Sequence, residues 1–203
     1  PEFALVSIID PSPHDAGTIW VGTDAGLARY TDGRFVVETG KDGRPYSSVT
    51  GVTEARSGDL WIHTYRPSPA GNVVLHGQAP ARADALDAGW STRPFTAMLE
   101  DRSGTLWFGT RSDGLHRLRG GQSRVYRPED GLADHHVTRL FEDHEGAVWI
   151  ATAGGLSRFK DERLTTFTPG DGYDGGHTLS FYEDGVGQLW IGTYGRGLYR
   201  YKD

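Results

Sequence analysis

One phrase recurs five times in this chain and leaves few folds open to it. The copies are Thr18-Ile-Trp-Val-Gly-Thr23, Asp59-Leu-Trp-Ile-His-Thr64, Thr105-Leu-Trp-Phe-Gly-Thr110, Ala147-Val-Trp-Ile-Ala-Thr152 and Gln188-Leu-Trp-Ile-Gly-Thr193. The intervals between their tryptophans are 41, 46, 42 and 41 residues. Each copy is rich in β-branched and aromatic residues and is bounded by Gly or Asp, which is the composition of a short strand between tight turns. A strand phrase returning at that interval is the period of a β-propeller blade. The sequence therefore predicts an all-β fold, a β-propeller of five blades.

The fourth copy gives the blade in full: Val137–Asp143, Ala147–Thr152, Gly155–Lys160 and Arg163–Thr168 read as four antiparallel strands. Innermost strands are expected near Ala4–Ile9, Val49–Glu54, Phe95–Glu100, Val137–Glu142 and Thr178–Glu183. A third-strand phrase, Gly-Leu-x-Arg followed by an aromatic residue or Leu, begins at Gly26, Gly114, Gly155 and Gly197. Blades are expected at about residues 4–40, 47–89, 94–128, 136–169 and 177–203 of one domain spanning 1–203, and Pro1-Glu2-Phe3 can be read as a vector-derived leader. Four outer strands are visible against five of each other kind, so the last blade is expected to be three-stranded. Either the ring closes by blade-to-blade packing, or the chain is an open arc whose edge strand and apolar faces seek another copy.

A residue repeated in every unit serves the unit first. The Trp and the third-strand Arg are accordingly expected to pack blades. The turns Glu100-Asp101, Glu142-Asp143 and Glu183-Asp184 are expected to hold backbone N–H groups rather than calcium, which would need several more oxygen ligands.

The run from Val137 to Phe159, with its Glu-Asp, Gly, Trp-x-x-Thr and Gly-Leu-x-Arg elements, resembles the two-component regulator propeller repeat of bacterial sensor proteins, as do the phrases around Trp20, Trp107 and Trp190. The resemblance implies a periplasmic or otherwise extracytoplasmic sensor propeller that precedes a membrane span and an output module. Members of that family usually carry seven blades to a ring, so five repeats read as an excerpt or an engineered fragment.

The bulk composition narrows the partners. A formal charge of −6 without clustered Lys and Arg is a poor match to a polyanion, and nucleic acid is not expected. No apolar run reaches the length of a membrane-crossing helix. The chain has no cysteine, which excludes disulfides and thiolate metal sites. No cofactor is implied.

Ligand-binding candidates are therefore sought where the copies differ, in the connections. The second copy is stretched by the loop after Trp61, which carries Tyr65, Arg66 and two prolines. Trp90, His135, His136, Tyr173 and His177 lie in segments leading into inner strands, with Tyr46 and Asp174; Arg111, Tyr194 and Arg196 follow second strands. On a propeller these segments share one face, where aromatic, Arg and His side chains suit a small polar ligand such as a glycan, or a protein partner. His135, His136 and His177 lack the spacing of a metal site, and none is expected. No nucleophile elbow, phosphate loop or zinc-protease motif is present. The sequence thus points to a non-enzymatic sensor propeller, with a self-assembling interaction module as the alternative; a propeller lyase would have to draw its catalytic histidine from His136 or His177.

Overall fold

The computed structural model describes residues 6–12, 15, 17–39, 43–46, 48–54, 58, 60–64, 73–75 and 95–201. The chain divides into two compact units, Pro1–Pro94 and Phe95–Asp203.

In the first unit, β1 (Val6–Pro11), β2 (Ile19–Thr23), β3 (Gly26–Thr31) and β4 (Arg34–Glu38) form one antiparallel sheet in chain order. A second sheet contains β5 (Val49–Glu54), β6 (Leu60–Thr64) and β7 (Val73–Leu75). Strand β5 lies against β1 and β2. Leu27, Tyr46, Val49, Val52, Leu60 and Ile62 fill the space between the sheets, with Trp20 packed against them. Strand β7 carries no Gly-Leu-x-Arg phrase, which is why the repeat pattern did not locate it. Residues 79–88, at the end of the second expected blade, lie outside the described residues.

The second unit holds three sheets in the same chain order: β8 (Phe95–Glu100) to β11 (Gln122–Tyr126) by way of β9 (Leu106–Thr110) and β10 (Leu115–Arg119); β12 (Val137–Glu142), β13 (Val148–Thr152), β14 (Gly155–Lys160) and β15 (Arg163–Phe167); and β16 (Thr178–Glu183), β17 (Leu189–Thr193) and β18 (Gly197–Tyr201). Inner strand β12 lies against β8 on one side and β16 on the other. One core, around Trp107, Leu115, Tyr126, Val137, Ile150 and Phe159, joins the first two of these sheets; a second, around Trp149, Leu156, Tyr173, Leu189 and Ile191, joins the last two.

The repeated residues make the joints. Asp101 accepts from the backbone N–H of Ser103 (2.9 Å) and Thr105 (3.0 Å) and from the indole N–H of Trp107 (2.8 Å). Asp184 does the same with Val186, Gln188 and Trp190. Each turn thus fixes the tryptophan of its own blade. Burial pushes the Asp101 carboxyl up, but the hydrogen bonds from Ser103, Trp107 and Thr105 outweigh it and hold the group below the ordinary carboxylate value. In the first sheet Ser12 stands where the turn Asp would be, and Trp20 donates instead to Glu54 of the neighbouring sheet, at 3.1 Å.

The preceding Glu reaches back one blade. Glu142 accepts from the Arg102 backbone N–H at 2.9 and 3.0 Å, and Glu183 from that of His144 at 2.8 Å. The third-strand Arg spans the same joint in aromatic form: Arg117 lies 5.3 Å from the Trp107 ring and 5.1 Å from Phe159 of the next blade, and Arg158 sits likewise between Trp149 and Tyr201. Arg117 also makes a two-pronged pair with Glu162 at 2.5 Å. Glu162 occupies the left-handed region (φ 58°) in the two-residue hairpin turn Asp161-Glu162, a conformation that costs a non-glycine residue energy.

Candidate ligand-binding face

All five inner strands carry a bulge between their first and third residues: Val6/Ile8, Val49/Gly51, Phe95/Ala97, Val137/Arg139 and Thr178/Ser180. A bulge bends its strand and re-aims side chains locally. Within the second unit the leading ends of β8 and β12 are tied together, because the Thr96 hydroxyl donates to the Val137 carbonyl. Close approach is needed there: a Cβ on Gly109 would run into the Val137 side chain.

The segments leading into β12 and β16 are built alike. Pro128-Glu-Asp-Gly131 and Pro169-Gly-Asp-Gly172 each make one short 3-10 turn, and the residues that follow, Leu132 and Tyr173, plug into the core. Tyr173 is only 6% exposed, its ring packs on Tyr199, and its hydroxyl shares a 2.6 Å hydrogen bond with Thr178. Among the described candidates Tyr173 is committed to packing. The spacing of the two Pro-x-Asp-Gly phrases was the signal for this, since it sets Tyr173 in register with buried Leu132. Tyr46 is likewise buried.

Past the plugs, the backbone clamps each connection to the turn beyond a second strand. The His135 carbonyl accepts from Gly114 (3.1 Å), that of His136 from Ala153 (2.8 Å) and that of His177 from Tyr194 (2.9 Å). The segment at 134–136 is thus held between the turn carrying Arg111 and the turn carrying Ala153. Asp134 steadies it through the His136 backbone N–H at 2.7 Å and packs on Gly154, where a Cβ would meet the Asp134 Cβ at 2.9 Å.

His136 and His177 hold the same register position in consecutive blades, each immediately before an inner strand. Arg111 follows the last residue of β9, which packs against β12. Arg111 and His177 are each close enough to His136 to act on its ring. Burial and the positive charge of Arg111 push His136 below the usual histidine value, with His177 adding to the effect and Asp134 opposing it. Arg139, which sequence reasoning did not single out, joins the same end: its Nε donates to the Leu179 carbonyl of β16 at 2.7 Å.

The remaining described candidates lie on the connection before β16 and on the β17–β18 turn. Tyr194 is exposed on the β17–β18 turn. Arg196 pairs with Asp174 at 3.7 Å, and the Tyr199 hydroxyl also bonds Asp174. Tyr65, Arg66 and Trp90 lie outside the described residues. A separate groove of about 270 Å³ is lined by Leu156 and Phe167 of the fourth sheet and by Tyr173, Tyr199 and Tyr201. Among the described residues no group of three or more metal-ligating side chains converges, and no helix is long and apolar enough to cross a membrane.

Three segments, 89–112, 131–154 and 172–195, match the family described as two component regulator propeller. No match to the chain is found among curated proteins. Among solved structures, the extracellular domain of a hybrid two component system from B. thetaiotaomicron is similar at 22% identity and a TM-score of 0.71, over 100% of this chain and 27% of that one. The surface component PorZ of the type-IX secretion system of Porphyromonas gingivalis is similar at 19% identity and a TM-score of 0.68, over 98% of this chain and 32% of that one. Virginiamycin B lyase from Staphylococcus aureus is similar at 16% identity and a TM-score of 0.61, over 100% and 73%. At these identities the likeness shows the shared propeller fold, and the chain spans about a third or less of the first two proteins. The matched segments cover the first two strands of the third, fourth and fifth sheets, β8–β9, β12–β13 and β16–β17, and it is there that the chain is similar to the two component regulator propeller family.

Proposed function

We propose that the chain is part of a non-enzymatic sensor propeller of a bacterial signalling receptor, exposed outside the cytoplasm, which captures a small polar ligand or a partner on the face formed by the leading ends of its inner strands. The repeated Trp, Asp and third-strand Arg are consumed by packing, whereas Arg111, His136 and His177 lie at one end of three adjacent blades, where Arg111 and His177 both act on the His136 ring. That arrangement is what supports the reading. The similar extracellular and surface propellers fit it. Capture of a ligand across several blades would bias an attached output module through the population of the bound state. The test is a glycan and metabolite screen against the full chain, with Arg111→Ala and Tyr194→Ala as controls. Binding that weakens in the controls is expected; a face inert to the whole screen would overturn the reading.

A second reading, an interaction module that assembles through blade edges, has its own observation. Leu27, Leu115 and Leu156 of the third-strand phrase are 1%, 0% and 1% exposed, but Leu198 at the same position is 64% exposed. Strand β18 carries no strand on its outer side among the described residues, and the tyrosine-lined groove runs beside it. An open strand edge of this kind pairs readily with another chain. Light scattering on the eluting protein decides: a stable oligomer that Leu198→Lys dissolves favours assembly, and a monomer removes it.

A further inference from the structure

The face assigned above is more specific than a polar surface. On a chain of net charge −6, the trailing end of β9 and the leading ends of β12 and β16 carry Arg111, His136, His177 and Arg139, with Asp134 beside His136 and with Asp113, on the Arg111 turn, engaged by Arg127. Asp174, on the connection into β16, is engaged by Arg196 and Tyr199. Extending the sensor reading, on which it rests, we propose that this corner binds the oxyanion of a small ligand, with Arg111 and the two imidazoles around the anionic group.

The chemistry of the donors fits an anion. A guanidinium offers a planar fork matched to carboxylate, phosphate or sulfate, and an imidazole donates one N–H when neutral and two when protonated. The two histidines stand at equivalent positions of adjacent blades, immediately before neighbouring inner strands, and Arg111 stands in the turn beyond β9, which packs against β12. The backbone clamps from His136 to Ala153 and from His177 to Tyr194 fix both connections before any ligand arrives, so little ordering is left to oppose binding.

Proton linkage follows from the groups that face His136, namely Arg111, Asp134, His177 and the adjacent His135. In the free protein, burial and Arg111 keep the His136 ring neutral to lower pH than usual. A bound anion reverses the local charge and draws a proton onto the ring, so binding takes up protons and strengthens as pH falls through the histidine range.

The test follows the histidine ring resonances of the isotope-labelled full chain against pH, alone, with inorganic phosphate and with glucuronate. The His136 midpoint is expected to rise with the anion. Arg111→Gln should weaken that response about tenfold or more, the loss of a hydrogen bond between charged groups, and should by itself raise the midpoint of the free protein. His177→Gln, which keeps a donor, provides a second variant with a smaller effect. A response to phosphate alone marks a phosphoryl- or sulfuryl-bearing ligand, and a response to glucuronate alone a carboxylate. A folded chain whose His136 midpoint is the same under all three conditions overturns the anion site. In that event, neutral sugars that still perturb Tyr194 would leave the sensor reading standing, and their failure to do so would remove both.

Discussion

The indole N–H of Trp149 donates to Asp143 Oδ2 at 2.7 Å, six residues upstream, and the other oxygen of that carboxylate receives the backbone N–H groups of Glu145 (3.1 Å) and Ala147 (2.8 Å). One buried side chain therefore closes a turn and orients the aromatic residue that packs the next joint. Asp143→Ala would leave three donors in need of new partners, two of them on buried residues. A buried donor without a partner costs about 1–3 kcal/mol, so the variant is expected to lose roughly 3 kcal/mol, and Asp143→Asn, which keeps one acceptor, about 1 kcal/mol. Urea unfolding followed by tryptophan fluorescence measures both; equal stabilities for the two variants would contradict the role given to the carboxylate.

Arg158 tests a different kind of joint. Its guanidinium lies 5.3 Å from the Trp149 ring and 5.4 Å from the Tyr201 ring, and it also reaches Glu145 at 3.1 Å and the Tyr201 hydroxyl at 3.1 Å. Glu145 is partly exposed, so its share is small and screened by salt. The stacked plane is what lysine cannot reproduce. Arg158→Lys is expected to cost about 1–2 kcal/mol, and the deficit should persist in high salt. A deficit that vanishes with added salt would show that the ion pair, not the stack, holds the joint.

These joints explain how much could be read from the chain alone. Blades were legible because the Trp, the turn Asp and the third-strand Arg recur together, and in the last three sheets the Trp contacts both at the same offsets. The histidine corner was legible in part. The interval from His136 to His177 equals that from Trp149 to Trp190, so the two rings had to share a register. Tyr173 looked like a loop aromatic until its turn was aligned with the one before Leu132, and only burial separates the two cases. Arg139 was hidden for another reason: its reach to Leu179 depends on the bulge at the start of β12, which no residue pattern announces. The exposure of Leu198 follows not from its own phrase, Gly-Leu-x-Arg as around Leu156, but from the missing strand outside β18 among the described residues, in line with the three-stranded last blade expected from the strand count.

A pH dependence should come from the opposite end of the blades. Hydrogen bonding to Glu183 raises the His144 ring above its ordinary value, and the ring covers Gly187, where a Cβ would meet it at 2.7 Å. A folded-state value above the unfolded one means that the folded chain binds the proton more tightly. The pair therefore contributes fully below the ordinary histidine value of 6.5, and its contribution is lost as pH rises through the folded value. The unfolding midpoint is expected to fall across that interval, and His144→Gln should flatten the profile there. An unchanged profile in the variant would assign the pH dependence to another group.

On the acid side the order reverses. Hydrogen bonds from Trp190 and the Gln188 N–H hold Asp184 below its ordinary value of 3.8, and Asp101 is lowered as well. Their contribution is present above that value and is lost as pH falls through the folded-state values. Trp107→Phe and Trp190→Phe, which remove the indole donors, are each expected to shift the acid unfolding midpoint upward; a midpoint that stays in place would detach the turn carboxylates from acid stability.

The sharpest comparison uses one residue type at one repeat position. Leu156 is 1% exposed, in the core between β14 and the last sheet, and Leu198 is 64% exposed on β18. Truncating a buried leucine removes its transfer free energy and leaves a cavity, so Leu156→Ala is expected to cost about 2–5 kcal/mol. Truncating an exposed one usually changes stability by less than about 0.5 kcal/mol. If the chain is monomeric, Leu198→Ala should therefore unfold with the wild-type protein at every concentration. If β18 is covered by a second copy, the substitution acts through association: its cost grows with protein concentration, because the wild-type chain gains stability from assembly and the variant does not. A concentration-independent loss comparable to that of Leu156→Ala would contradict both, since it would require Leu198 to be buried within its own chain.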